Sequence, residues 1–374
     1  MANSRSKEHK CPNCGGFLVY IPEEGVLKCE HCDSKIKVEE YANASKEDDL
    51  YAGGSDEAEG SKVEGFDFSA LKDAVTDENA ENLPVYECRS CAAQLIAPPT
   101  AATISCPYCG NHIVLTDQVS GKLRPDGMIP FRYSPDKIAS AVQKFYKGKK
   151  LLPKGFFSSA KIGDVTGVYL PFWVFDGSLS GQMTYKGDKV SHSREGNYDI
   201  TTTTHYMLYR DVSGRFQELP VDAGRNADDA LMDSLEPFDL REAKPFDMGY
   251  LAGYTAERFD EPKKSMTQRA KGRMRKTLAS AALKKAGAGF TGVRPEGGSL
   301  KADITAKYML FPVYMFNIKD GSQSYPFAFN GQTGKVVGKL PIDPTVSRNY
   351  FLIRFGIIFG VLFGWSLLKY FCGC

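Results

Sequence analysis

Eight of the ten cysteines stand in four C-x-x-C pairs: Cys11/Cys14, Cys29/Cys32, Cys88/Cys91 and Cys106/Cys109. Twice, fourteen residues separate the second cysteine of a set from the third, giving C-x2-C-x14-C-x2-C. Two thiolates three residues apart on a tight turn can point at one ion. A second such turn completes a tetrahedron with zinc–sulfur bonds of about 2.3 Å. The pattern predicts two zinc ions, each held by four cysteines. Four thiolates leave no open position for water, so both sites read as structural rather than hydrolytic. The competing reading is a set of redox C-x-x-C motifs, but two equally spaced sets need no redox explanation. His31 and His112 lie beside ligand cysteines and read as bystanders, since four sulfurs suffice.

The elements that must present these cysteines are short. Gly15 and Gly110 follow the second cysteine of a pair, where a tight turn favours a residue that takes positive φ cheaply. FLVYIPEEGVLK and QLIAPPTAATIS read as hairpin strands around a Gly- or Pro-bearing turn. The layout is that of two zinc ribbons, at residues 1–40 and 85–118. Modules this small cannot fold on apolar burial alone, so metal supplies much of their folding energy. No signal-like apolar stretch opens the sequence, so the expectation is that the paired cysteines stay in a reducing compartment.

Ribbons often grip nucleic acid through a basic face, but charge argues against that here. Residues 5–40 hold six Lys/Arg against seven Asp/Glu, and residues 85–116 hold only Arg89 and Glu87. A zinc ion with four thiolates adds about two negative charges per site. Phosphate binding needs the opposite footprint.

Between the ribbons, residues 41–84 carry twelve Asp/Glu and three Lys with few large apolar residues. Such a stretch cannot offset its ordering entropy and reads as a flexible linker, with FDFSALKDAV (66–75) as a transient helix. Residues 128–341 read as one mixed α/β domain. Ser134-Pro135-Asp136 predicts a helix start with Ser134 as the N-cap. Runs at 168–185 and 198–212 predict strands from their β-branched and aromatic content. An internal duplication is visible: LPFWVFDGS (170–178) matches FPVYMF (311–316) followed by Asp320-Gly321-Ser322. This suggests two half-units packed as a sandwich, with each proline at a strand edge or bulge. The second hairpin is expected to turn at 330–334. Residues 263–285 hold nine Lys/Arg and no acid and read as a helix. Its basic face could be solvated, or could meet anionic lipid, phosphate or the acidic linker.

Residues 350–371 form an apolar run in which only Arg354 and Lys369 are charged, each near an end. About twenty apolar residues span a bilayer. Lys335, Lys339 and Arg348 flank it on the N-terminal side, which predicts a single-pass tail anchor with the N-terminal bulk in the cytoplasm. Gly356, Gly360 and Gly364 line one helix face and suggest homo- or hetero-oligomers through close helix approach. Cys372 and Cys374 could be acylated.

There is no nucleophile elbow, P-loop, His-Glu-x-x-His or dinucleotide fingerprint, so the expectation is a protein that is not an enzyme. LPVDAGRNADDALMDSLEPFD (219–239) and YLAGYTAERFD (250–260), with two ribbons, an acidic linker and a C-terminal apolar helix, resemble the YdjG-like bacterial double zinc-ribbon membrane proteins. These are encoded near the envelope-stress protein PspA and an SPFH-domain partner. The ribbons alone also resemble those of transcription factor TFIIB and the PriA helicase, after which such proteins are often labelled, but no helicase motif accompanies them. The knuckle Cys88-Arg-Ser-Cys91-Ala departs from the usual C-P-x-C-G. The resemblance implies a membrane-anchored adaptor that recruits PspA-like or SPFH-domain proteins in envelope stress. The alternative is a nucleic-acid-associated ribbon protein.

Overall fold

The computed structural model describes residues 6–43, 85–88, 94–97, 100–106, 112–147, 149–153, 161–163, 165–224, 229–320 and 323–372. The acidic segment beyond residue 43, with its 66–75 stretch, lies outside these residues, as do Cys91, Cys109 and Cys374.

After β1 (Ser6–Lys7), the first cysteine module is a three-stranded antiparallel sheet of β2 (Leu18–Ile21), β3 (Val26–Cys29) and β4 (Lys35–Lys37). In the second module β5 (Val85–Glu87) pairs with β6 (Gln94–Ile96), and β7 (Thr103–Ser105) pairs with β8 (His112–Leu115). Strand β1 pairs with β8, so residues ahead of the first module complete the sheet of the second.

A nine-stranded sheet forms the rest: β9 (Gly127–Met128), β10 (Lys161–Ile162), β11 (Thr166–Glu195), β12 (Tyr198–Asp222), β13 (Lys244–Pro245), β14 (Thr255–Ala256), β15 (Thr291–Asp320), β16 (Gln323–Asn330) and β17 (Val336–Gly338). Its spine runs β12-β11-β15-β16-β17. The strands outrun the expected ones: β11 and β15 each have 30 residues, about 100 Å of extended chain. The duplicated segments do not stack as two layers. They pair side by side and antiparallel in one sheet, with Leu170 opposite Phe311 and Phe172 opposite Met309.

The duplication survives as topology. β11 is flanked first by β14, parallel at Val168–Tyr169, then by β12 from Phe172 onward. β15 is flanked by β9, parallel at Met309–Leu310, then by β16 from Val313 onward. Pro171 and Pro312 each fall where one neighbour hands over to the next. No ladder N–H is needed there, which is how a strand tolerates proline. Their carbonyls accept equivalent bonds from Ala223 N–H (3.0 Å) and Gly331 N–H (2.9 Å).

Burial explains the change in pattern along β11. Val168, Leu170, Phe172 and Val174 face the helix Asp229–Leu235 and Phe238. Tyr169, Trp173 and Phe175 face the other core, which includes helix Asp136–Tyr146 and the buried face of the first module. With both faces covered the sequence is a continuous apolar run. Farther out, the large side chains Leu179, Met183 and Tyr185 are buried, against helix Lys263–Ala286, and Ser178, Ser180 and Gln182 alternate with them in the open. Beyond the Asp188–Thr291 pair, β11 and β12 continue alone to the turn at Gly196, forming an exposed two-stranded arm.

Helix Asp136–Tyr146 buries Ile138, Val142 and Tyr146 at a spacing of four. Ser134 is not its cap: the Ser134 hydroxyl donates to Glu23 Oε1 at 3.0 Å, across to the first module. The basic helix packs Met266, Ala270, Met274 and Leu278 inward. Arg273 pairs with Glu236 (2.8 Å) and Asp233 (3.5 Å), and Arg269 with Asp233 (3.1 Å), so two of its basic residues fasten it internally. The chain ends in helix Pro344–Cys372. Asp343 Oδ1 accepts the N–H groups of Thr345 (2.7 Å) and Val346 (3.1 Å), satisfying two donors of its first turn. Residues Pro344–Trp365 have mean hydropathy 1.4 and none of this span is buried. It is long and apolar enough to cross a bilayer.

Candidate metal centre and its docking face

Each half of the first site is built the same way. In the first knuckle Gly15 N–H reaches Cys11 O (2.8 Å) and Cys11 N–H reaches Gly16 O (2.7 Å). In the second, Asp33 N–H reaches Cys29 O (3.1 Å) and Cys29 N–H reaches Ser34 O (2.9 Å). Both turns need a left-handed residue at the same place, Gly15 at φ +73° and Asp33 at φ +57°. Glycine takes this conformation freely and Asp tolerates it better than most residues. The Asp33 carboxylate is also held by Lys28 at 2.8 Å.

These turns bring the four sulfurs together. Cys11 Sγ lies 3.7 Å from Cys32 Sγ, Cys14 Sγ lies 3.5 Å from Cys29 Sγ, and all four ligand atoms fall within 4.8 Å of one another. A tetrahedron with 2.3 Å zinc–sulfur bonds has edges of about 3.8 Å, so the cage fits zinc. No space is left for a larger residue at Gly16: a Cβ there would sit 3.1 Å from Cys29 Sγ and 3.3 Å from Cys14 Sγ. Cys11 and Cys29 are buried, while Cys14 and Cys32 face outward. Hydrogen bonds from the Ser34 hydroxyl and backbone hold the Cys32 thiol down to about 6. Gly16 N–H favours the Cys14 thiolate, yet the neighbouring sulfurs, Cys32 first, push Cys14 up to about 12. Four crowded sulfurs need a cation before all can ionise. His31 contributes its backbone N–H to Cys29 Sγ (3.4 Å), not its ring, as a bystander would.

Of the second set, Cys88 and Cys106 are buried in one small cluster with Tyr86, Ala97, Ile113 and Leu115. Their partners Cys91 and Cys109 lie outside the described residues. His112 Nδ1 lies 3.1 Å from Ser105 Oγ, and burial pulls its imidazole below the usual range.

Sequence reasoning missed the docking. Leu18, Tyr20, Leu27 and Val38 belong to the same core as Phe131, Tyr169 and Tyr254. Tyr20 N–H donates to Ala252 O (3.0 Å), its ring meets Tyr250 edge-on at 5.2 Å, and its hydroxyl reaches Phe131 O (3.5 Å). The approach is close. A Cβ on Gly253, at φ +83°, would lie 2.6 Å from Val19 Cγ1, and one on Gly249 would lie 2.8 Å from Val38 Cγ1. The second module docks next to it: Ala102 N–H reaches Ala256 O (2.7 Å), and the Thr103 hydroxyl donates to Tyr254 O (3.1 Å). Residues 249–258 thus carry both modules. The signal was the cluster Gly249-Tyr250-Leu251-Ala252-Gly253-Tyr254, whose small residues admit a neighbouring strand.

A separate polar cleft of about 980 Å³ lies beside the β11 bulge, lined by Asp126, Asp176, Arg215, Glu218, Arg241 and Lys307 among others. Three of its charged groups have structural partners. Asp126 accepts Tyr308 N–H (2.7 Å), Asp176 accepts Glu218 N–H (2.9 Å), and Arg241 is clamped by Asp239. The Arg241 guanidinium holds the Asp239 carboxyl down to about 2.

The chain is 33% identical over 336 residues to a protein of Bacillus subtilis (strain 168) that is described as the uncharacterized protein YdjG, covering 90% of each chain. No family model matches it, and no solved structure does.

Proposed function

The chain belongs to the YdjG family, and on that premise we propose that it is a membrane-anchored zinc-ribbon adaptor, recruiting partner proteins to the cytoplasmic face of the cell membrane. One observation carries the reading: both cysteine modules dock on residues 249–258 of a sheet whose chain ends in an apolar helix. A closed four-sulfur site does no chemistry on a substrate; it fixes a surface. Two such surfaces on one rigid sheet make a platform. By the resemblance, PspA-like or SPFH-domain proteins in envelope stress are the proposed partners. The second module is proposed to hold a second zinc ion through Cys88, Cys91, Cys106 and Cys109. The glycine face of Gly356, Gly360 and Gly364 is proposed to let helices associate.

The nucleic-acid alternative draws on the basic helix, but Arg269 and Arg273 are spent on Asp233 and Glu236. Tandem affinity purification of the full chain from detergent-solubilised membranes, after cross-linking in cells, tests the adaptor reading. Recovery of a stoichiometric protein partner is expected. Recovery of nucleic acid with a steep salt dependence, and no protein, would overturn it.

A further inference from the structure

The fold assembles a positive collar that neither contributing segment forms alone. After helix Asp136–Tyr146 the chain reads Lys147-Gly148-Lys149-Lys150-Leu151, and Lys144, Lys147, Lys149 and Lys150 are all exposed. This loop is fixed in place. Phe145 and Tyr146 pack edge-on against Phe327, Leu152 is buried, and Lys149 N–H donates to Tyr146 O (3.0 Å). Asp343 N–H then donates to Leu151 O at 3.0 Å. That bond places the loop beside the first turn of helix Pro344–Cys372, almost two hundred residues later in the chain. Lys147 is four residues from Leu151, within about 14 Å of that junction.

The helix base adds Lys335, Lys339, Arg348 and Arg354. Across residues 140–153 and 335–354 there are eight Lys/Arg and one acid, Asp343. That acid already caps the helix. Beside the collar the apolar surface begins, with Ile342 64% exposed and Phe351, Leu352 and Ile353 more than half exposed. Positive charge at the foot of an apolar helix is complementary to one surface, a bilayer with negative headgroups.

We propose that Lys147, Lys149 and Lys150 bind anionic lipid headgroups, seating the base of the sheet on the membrane where the C-terminal helix enters it. The proposal rests on the membrane-spanning reading of that helix. It also separates two basic regions that look alike in sequence. Helix Lys263–Ala286 packs toward the arm, with Leu278 against Gly214 and Arg275 donating to Gly298 O (3.1 Å). Strand β15 runs from Gly298 to Phe316, the partner of Phe327, over about 60 Å. The collar, not the basic helix, is the lipid-facing charge.

The test floats the full chain, diluted from micelles, with vesicles of phosphatidylcholine alone or mixed with phosphatidylserine. Flotation with the neutral vesicles reports the apolar helix, and the increment with phosphatidylserine reports the collar. K147E/K149E/K150E is expected to keep the first and to lose more than about 100-fold of the second, the loss that removing three charges alone would give. The same three positions changed to Gln should lose part of it, and added salt should weaken it in the wild type. K264E/K276E/K285E on the basic helix carries the same change in net charge and is expected to keep the increment. A wild-type chain that floats equally with both vesicles overturns the collar and leaves the membrane helix standing. So does a collar variant that keeps the full increment while its Trp173 emission stays native. Loss of the increment in the basic-helix variant overturns the assignment to the collar. Flotation with neither vesicle overturns the membrane helix and the collar with it.

Discussion

Removing the first zinc site should destabilise the central sheet, although no cysteine belongs to it. The perturbation is C14S/C32S. Both side chains are exposed, so the change deletes two ligands with little loss of packing. A module this small loses its fold with its metal, and Tyr20 then leaves its place among Phe131, Tyr250 and Tyr254. Truncating a buried aromatic costs about 3–5 kcal/mol. In a domain of this size each kcal/mol lowers Tm by roughly 2–4 °C, so the shift should be about 6–20 °C. Trp173 is the reporter. It lies in the sheet, 5.6 Å from the Tyr308 ring and 5.2 Å from Phe259, and donates to Glu261 O (3.1 Å). The chain has two tryptophans, so a Trp365→Phe background isolates it. Thermal unfolding followed by Trp173 emission should show the fall in C14S/C32S, and Y20A with zinc bound should show one of similar size. An unmoved Trp173 transition in C14S/C32S would refute the shared core.

Gly253→Ala should undock the first module with its zinc still bound, because the added methyl meets Val19 at 2.6 Å in a left-handed backbone. The conformation alone costs about 1–2 kcal/mol, to be read by denaturant unfolding beside a zinc count that does not change. Elemental analysis of the full chain should give two zinc ions, falling to one in C14S/C32S. Arg273→Ala should cost about 1–3 kcal/mol at neutral pH by leaving the half-buried Glu236 carboxylate without this partner. Burial already raises the Glu236 pKa and Arg273 opposes the rise, so the variant raises it further. Stability from the protonated carboxyl is fully present below the unfolded value and is lost as pH rises through the folded one. The deficit against wild type should therefore be small in acid and grow toward neutrality, as pH-dependent denaturation can measure.

The first cage was legible because four cysteines at fixed spacing have one common geometric solution, and Gly15 marks a turn. The helices at 136–146 and 263–286 were legible from their starts and composition. The apolar alternation of β11 was legible only where one face is open. Where both faces are covered, LPFWVF shows no period that separates strand from buried helix, so strand length and pairing stayed hidden. The repeat of LPFWVF-like segments was legible in the sequence, but repetition does not say whether copies stack or pair. Docking of the first module was hidden for another reason. Leu18, Tyr20 and Leu27 look like the module's own core, and Gly249 and Gly253 look like turn residues. Ser134 shows the same limit, since its hydroxyl serves Glu23 on a different module.

The weld between Tyr250 and Glu39 joins residues 211 positions apart, which has a consequence for the order of events during synthesis. Translation at about 5–20 residues per second leaves the first module outside the ribosome for roughly 10–40 s before its seat exists. Through that interval only the module's own short sheet, and the ion its sulfurs would hold, keep Leu18, Tyr20 and Leu27 in a native arrangement. Metal capture is therefore expected to precede assembly of the sheet. A cell short of zinc at the moment of translation would yield a chain whose seat forms with nothing to receive.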